Sequence, residues 1–134
     1  MSHEFTCKVY YEDTDLAGVV YYANYLKFIE RARTEALCEA GVDQRALLQE
    51  TGVVFVVRRV EIDYIAPARF QDELVVRTST ERVSGARAVL LQEVLRGEDI
   101  LARAHVQVAA MGRDGRPARM PAPARVALEA FATG

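Results

Sequence analysis

NYLKFIERARTEALCEA, residues 24–40, and VFVVRRVEIDY, residues 54–64, decide the fold between them. In the first stretch Phe28, Ile29, Ala32, Ala36, Leu37 and Ala40 recur at i, i+3 and i+4, which gathers apolar side chains on one helix face. Glu30, Arg31, Arg33, Glu35 and Glu39 carry charge and can stay solvated. The spacing predicts one amphipathic helix over 24–40. Asn24 is the expected N-cap, because its side chain can accept from a free first-turn amide. Gly41 is the expected residue just past the end, where a positive φ is wanted. In the second stretch the period drops to two. Val54, Val56, Arg58, Val60, Ile62 and Tyr64 share one face, with Arg59, Glu61 and Asp63 on the other. That predicts a long half-buried strand, stopped by Pro67.

Working outward, residues 73–82, 86–96 and 100–111 repeat the two-residue period. Ile100, Ala102, Ala104, Val106, Val108 and Ala110 line one face of the last. Gly85 and Gly97 lie between these runs and suit tight reversals, so consecutive strands should pair antiparallel. Upstream, FTCKVYY at 5–11 reads as a strand, and residues 12–18 read as a loop ending in Gly18. A short helix is expected at 43–50 and a closing helix at 124–131. Between them and the last strand, residues 112–125 hold two glycines, three prolines and four arginines, a basic loop. The order is strand, long helix, four long strands: an α+β fold in which a five-stranded antiparallel sheet wraps its apolar face around the helix. Long strands leave an edge, and joining edges across a two-fold axis would cover it, so a homodimer is expected.

Composition narrows the function. The chain has 134 residues, 51% hydrophobic and 27% charged, which suits a single domain over 1–134 with a real core. Seventeen Lys+Arg against nineteen Asp+Glu give a formal charge of −2, far from the basic balance of a nucleic-acid binder. No apolar run approaches the ~20 residues of a membrane span. Met1-Ser2-His3-Glu4 lacks the order of a secretory signal. Cys7 and Cys38 form no zinc spacing. A cytoplasmic protein with reduced thiols and no metal is the expectation.

The chemistry concentrates before the long helix. Glu12, Asp13 and Asp15 crowd together ahead of Gly18 and the helix start. Turns favour Asp, whose side chain bonds its own backbone, so crowding alone leaves a structural role open. A helix start, however, offers free amides and a positive dipole end, which hold anions and can hold an oxyanion. A carboxylate beside such a site can attack as a nucleophile or activate water. The combination favours hydrolysis of an activated acyl group.

Asp13-Thr14-Asp15-Leu16-Ala17-Gly18-Val19-Val20-Tyr21-Tyr22-Ala23-Asn24-Tyr25-Leu26, with Glu30-Arg31-Ala32-Arg33-Thr34 after it, resembles the signature of hotdog-fold acyl-CoA thioesterases. The branch it looks most like is the YbgC type, associated with the Tol-Pal system, with 4-hydroxybenzoyl-CoA thioesterases as cousins. The likeness continues through residues 55–59 and 64–69 and weakly to Arg116-Pro117 and Pro121. It implies a hotdog fold, with Asp15 as the catalytic carboxylate and the Tyr22 backbone N–H polarising the thioester carbonyl. It also implies dimers or tetramers with active sites at the dimer interface, and basic residues meeting the CoA phosphates. CoA enters as part of the substrate, and no separate cofactor is implied. Many YbgC-type proteins carry His where this chain has Tyr22. A backbone role survives that change, since any non-proline residue supplies the N–H.

Among the basic residues, Arg58 intrudes on an apolar strand face, where it needs a partner or else sits at an interface or a site mouth. Arg82 and Arg87 flank a hairpin where relatives place CoA contacts, and Arg116 is the better family match in the basic loop. The tyrosines around the loop pack at the helix start or line an acyl pocket. Ser79 and Ser84 lack the nucleophile elbow of serine hydrolases. Neither cysteine has a base beside it, and His3 and His105 read as terminal and surface residues. Two other functions compete. One is a non-catalytic acyl-CoA or acyl-carrier-protein scaffold. The other is an aspartate phosphatase, which Asp13-Thr14-Asp15 mimics but which needs a parallel βαβ fold.

Overall fold

In the computed structural model, which describes residues 1–132, the helix-period stretch folds as α1, Asn24–Glu39. Gly41 follows it with φ 86°, the left-handed turn expected there. A short helix α2, Gln44–Thr51, is capped by the Asp43 carboxylate, which accepts from the Ala46 amide at 3.0 Å. The strands are β1 (His3–Lys8), β2 (Val54–Tyr64), β3 (Glu73–Val83), β4 (Arg87–Arg96) and β5 (Asp99–Met111), and α3 (Ala122–Ala130) closes the fold. The sheet order is β1-β3-β4-β5-β2, and every pairing between these strands is antiparallel. An aspartate phosphatase, which wants its acids after a parallel strand, is therefore excluded. The predicted α+β layering is correct.

Three local expectations are corrected. The first strand runs over 3–8 rather than 5–11. Val9 is fully buried, and the chain then enters a single 3-10 turn, Tyr11–Asp13. The Asp13 carboxylate accepts from the Tyr10 amide at 2.9 Å and draws the backbone out of the ladder. Second, β2 does not keep one face. Val57 pairs with Val108 and Arg59 with Gln107, so Arg58 is the extra residue of a β-bulge. Side-chain parity reverses there. Phe55 and Val57 before the bulge share the core-facing side with Val60, Ile62 and Tyr64 after it, while Val54 and Val56 face away. Arg58 is exposed and does not intrude on the apolar face. Third, a register shift between Val94 and Leu95 of β4 turns Leu101 of β5 into the core, where it is 0% exposed, in place of Ile100.

Phe28, Ile29 and Ala32 of α1 bury against Leu74, Val76, Val94, Leu101 and Val106 of the sheet. One helix does not cover the whole sheet. A second cluster joins Leu47, Leu90, Ala110, Ala124 and Leu128 beneath α2 and α3. Between helix and sheet lies Gln92, fully buried. Its amide donates to the Ile29 carbonyl and the Thr78 hydroxyl, both at 2.9 Å, and its carbonyl accepts from Arg33 at 3.1 Å. A buried amide with every bond made fixes the helix register on the sheet.

Candidate active site

The two aspartates of the loop do different work. Asp13 is buried, and its backbone carbonyl accepts from the Tyr21 amide and from the Asn24 side chain, each at 2.9 Å. Thr14 bridges Val20, and the Asp15 amide donates to the Val19 carbonyl at 2.9 Å. Residues 13–21 thus form a short antiparallel ribbon, turned at Gly18, whose φ is 79°. Asp15 stands at its tip, exposed. Its carboxylate accepts only the Ala17 amide, at 2.9 Å, among the described residues. Asp13 ties the ribbon down, and Asp15 is left available.

Asn24 is not the cap. It is the first residue of α1, Ala23 precedes it with no side-chain capping bond, and the Asn24 amide donates back to Asp13. The side chain pins the ribbon rather than filling the helix start. The Tyr22 and Ala23 amides consequently donate to no carbonyl among the described residues. Free N–H groups at a helix start are an oxyanion-type arrangement. Asp15 and Tyr22 belong to the same ribbon, one at its tip and one just past its base.

The ribbon rests on the turn that follows β2. The Val20 amide donates to the Ala68 carbonyl at 2.8 Å, and the Ala68 amide donates to the Tyr25 hydroxyl at 3.0 Å. The Tyr64 hydroxyl donates to the Tyr22 carbonyl at 3.0 Å. Burial, with the neighbouring Tyr22 and Tyr25 phenols, pushes the Tyr64 pKa up, so it remains a protonated donor at neutral pH. Val20, Tyr22, Tyr25, Tyr64 and the 65–67 turn surround an open recess of about 260 Å³ beside the helix start. The anchoring roles of Tyr64 and Asn24 were missed in the sequence. The only signal for Tyr64 was its place at the end of the two-residue alternation.

Asp72 clamps the supporting turn. Its carboxylate accepts from the Arg69 amide at 2.8 Å and from Arg96 at 2.7 Å. Burial alone would raise its pKa, but the Arg69 amide and the Arg96 guanidinium outweigh it and hold the carboxyl below its ordinary range. A carboxyl depressed on folding stabilises above its unfolded pKa and loses that contribution as pH falls through the folded one. We therefore expect the clamp to weaken only below about pH 4. Asp72→Asn should flatten the acid limb of a plot of stability against pH and leave the neutral region nearly level. A mutant curve parallel to the wild type below pH 4 would refute this.

The arginines are scattered. Arg82 and Arg87 line one depression of about 170 Å³ on the outer face of the sheet. In the register Arg82, Val89, Gln107 and Arg59 form one row across β3, β4, β5 and β2, with Arg58 bulging beside it. Arg116 lies apart, in the turn after β5, where its amide donates to Asp114. Arg113 instead caps α2, donating to the Leu48 and Gln49 carbonyls. His105 pairs with Glu81 on the outer face, and His3 pairs with Glu39.

The cysteines separate cleanly. Burial raises the Cys7 thiol to about 11, against a lowering pull from Arg31 and with a further push from Asp13, while Cys38 is exposed. Cys7 is no nucleophile at neutral pH. With a colorimetric disulfide reagent, one thiol per folded chain should react within minutes and the second only on denaturation. Two equally fast thiols would contradict the burial of Cys7.

No helix among the described residues is long and apolar enough to cross a membrane. Residues 9–130 match the family model of the thioesterase-like superfamily. The acyl-CoA thioesterase YbgC of Haemophilus influenzae is 46% identical over 105 residues, 78% of this chain and 77% of that protein. A probable thioesterase from Bartonella henselae superposes with a TM-score of 0.86 at 39% identity, over 90% of this chain and 100% of that one. The 1,4-dihydroxy-2-naphthoyl-CoA thioesterase of Synechocystis superposes at 0.88 with 25% identity, over 96% of each chain. The matched span takes in the ribbon, α1 and all of β2 to β5, and the chain belongs to the thioesterase-like superfamily, with a hotdog architecture.

Proposed function

We propose that the protein hydrolyses acyl-CoA thioesters to a free acid and CoA, with Asp15 as the reacting carboxylate. The 46% identity to an acyl-CoA thioesterase supports the reaction class. The observation that carries the residue assignment is the division of labour on the ribbon: Asp13 is buried in backbone hydrogen bonds, whereas Asp15 is exposed on the same ribbon as the free Tyr22 amide. Two routes fit. Asp15 attacks the carbonyl carbon, thiolate leaves and water opens the resulting anhydride; or Asp15 takes a proton from water as that water attacks. In either, the helix-start amides would hold the charge developing on the carbonyl oxygen. Label in Asp15 after a single turnover in 18O-water would establish the first route, because only an anhydride opened at the Asp15 carbon leaves solvent oxygen in the enzyme.

The site is open in one chain, and we propose that a second copy completes it. β2 is an edge strand of 11 residues. Tyr22, Leu26, Val57, Tyr64 and Ile65 leave apolar surface exposed around it and the helix start. Such an edge invites pairing with its own copy. Arg82 and Arg87 are assigned to the CoA phosphates because they share one depression, and Arg58 and Arg116 are secondary candidates. Acyl carrier protein is the alternative carrier.

The test is thiol release over a panel of acyl-CoAs, from short-chain through benzoyl, hydroxybenzoyl and phenylacetyl to long-chain. Turnover establishes the reaction and its best substrate fixes the pocket. No turnover on any member, nor on acyl carrier protein, would overturn the proposal in favour of a non-catalytic acyl-binding protein. Because Cys38 is exposed, the enzyme's own thiol must be subtracted.

A further inference from the structure

A further cavity, of about 240 Å³, lies under the later half of α1, and neither the 13–21 ribbon nor Tyr22 lines it. Arg33 and Leu37 of the helix, Phe55, Thr80 and Leu90 of the sheet, and Phe131 after α3 form its walls. Ligand pockets run from about 300 Å³ upward, so this one suits a small molecule. The Phe131 wall is fixed: its carbonyl accepts from the Thr80 amide at 2.7 Å and its ring stands edge-on to His3 at 5.9 Å.

Two polar groups at this apolar space have hydrogen-bonding capacity unused: the Thr80 hydroxyl, which has no partner among the described residues, and the Arg33 guanidinium, which has one. Thr80 is 3% exposed, and its hydroxyl makes no hydrogen bond among the described residues. Arg33 is half-buried, and among the described residues its guanidinium makes one hydrogen bond, to Gln92, and no ion pair. Burial lowers the Arg33 pKa, opposed by Glu30 one turn back, whose carboxylate accepts from the Thr34 hydroxyl at 2.8 Å. Guanidinium has five donors, so four of its N–H bonds remain for a ligand. A cation drawn partly out of water is costly; Glu30, also in the cavity wall, offsets part of that cost without forming an ion pair, and the planar fork of Arg33 matches a carboxylate.

We propose that this cavity binds a small free carboxylic acid, its carboxylate on Arg33 and Thr80 and its apolar body against Phe55, Leu90 and Phe131. Such acids are the class of product that thioester hydrolysis releases, so the enzyme would sense its own product. That last link rests on the thioesterase reading. The binding itself does not, and it is measured without turnover.

The experiment is calorimetric titration of the full chain with octanoate and with 1-octanol, which shares the tail and lacks the carboxylate. Octanoate should bind at one site per chain, and octanol about tenfold or more weaker. Arg33→Gln, which can still bond Gln92, should remove about tenfold of octanoate affinity and spare octanol. Thr80→Val, equal in shape, should weaken octanoate and preserve the melting temperature. Leu37→Trp should fill the space and abolish both. No octanoate binding at millimolar concentration, octanol binding as tightly, or octanoate affinity unchanged in Thr80→Val and Leu37→Trp would overturn the assignment. Those two variants still decide it should Arg33→Gln fail to fold.

Discussion

Asp15→Asn is expected to lower acyl-CoA turnover by about 10²- to 10⁴-fold, the range set by losing a positioned acid–base group. The same variant should melt within a degree or two of the wild type. Asp15 is exposed, and its one carboxylate contact, the Ala17 amide, can be accepted equally by an Asn oxygen. Exposed substitutions that keep their contacts change stability by about 0.5 kcal/mol or less. Asp13→Ala is the counterpart. It removes a buried acceptor for the Tyr10 amide and should cost about 1–2 kcal/mol. Activity would then fall only as the ribbon loosens. Near-normal turnover in a folded Asp15→Asn would remove this residue from the chemistry. Loss confined to Asp13→Ala would transfer the role to its neighbour. Melting curves beside the thiol-release rates distinguish the cases.

Phe28→Ala should have the largest effect on stability, about 3–5 kcal/mol, because it combines lost burial with a cavity its neighbours cannot fill. Phe28 is 1% exposed, sits edge-on to Tyr25 at 6.2 Å, and joins α1 to the main core cluster. Domains of this size hold only about 5–15 kcal/mol in all. The midpoint should fall by roughly 10–20 °C. Tyr25 carries the Ala68 amide on its hydroxyl, so loosening this pair should also disturb the turn beneath the ribbon. A shift of only a few degrees in thermal and urea denaturation would mean that α1 is not the main support of the core.

Most of the architecture was legible because periodicity reports burial directly. α1 is misplaced by one residue at its end, and β3 to β5 begin and end within one residue of the expectation. The failures come from hydrogen bonds and register shifts that residue periodicity does not carry. Asn24 looked like a cap because it stands at a helix start, but its amide finds the Asp13 carbonyl instead. Asp13 and Asp15 looked equivalent as letters, and only the ribbon's pairing buries one and exposes the other. The stretch that held the signature folds as the ribbon that runs into the start of α1. Arg58 misled because strict alternation assumes an unbroken ladder.

That extra residue makes β2 a strand written in two reading frames. Upstream of Arg58 the odd-numbered side chains turn inward, and downstream the even-numbered ones do. Deleting Arg58 itself would merge the frames into one regular alternation with both sets still inward, whereas strict one-to-one pairing with Arg58 in place would send either Phe55 and Val57 or Val60 and Ile62 out to solvent. An ungapped comparison with a sequence lacking the insertion would likewise equate inward with outward positions along half the strand. Substitutions in β2 should be transferred between relatives by counting from the bulge in each direction, never from one end of the strand.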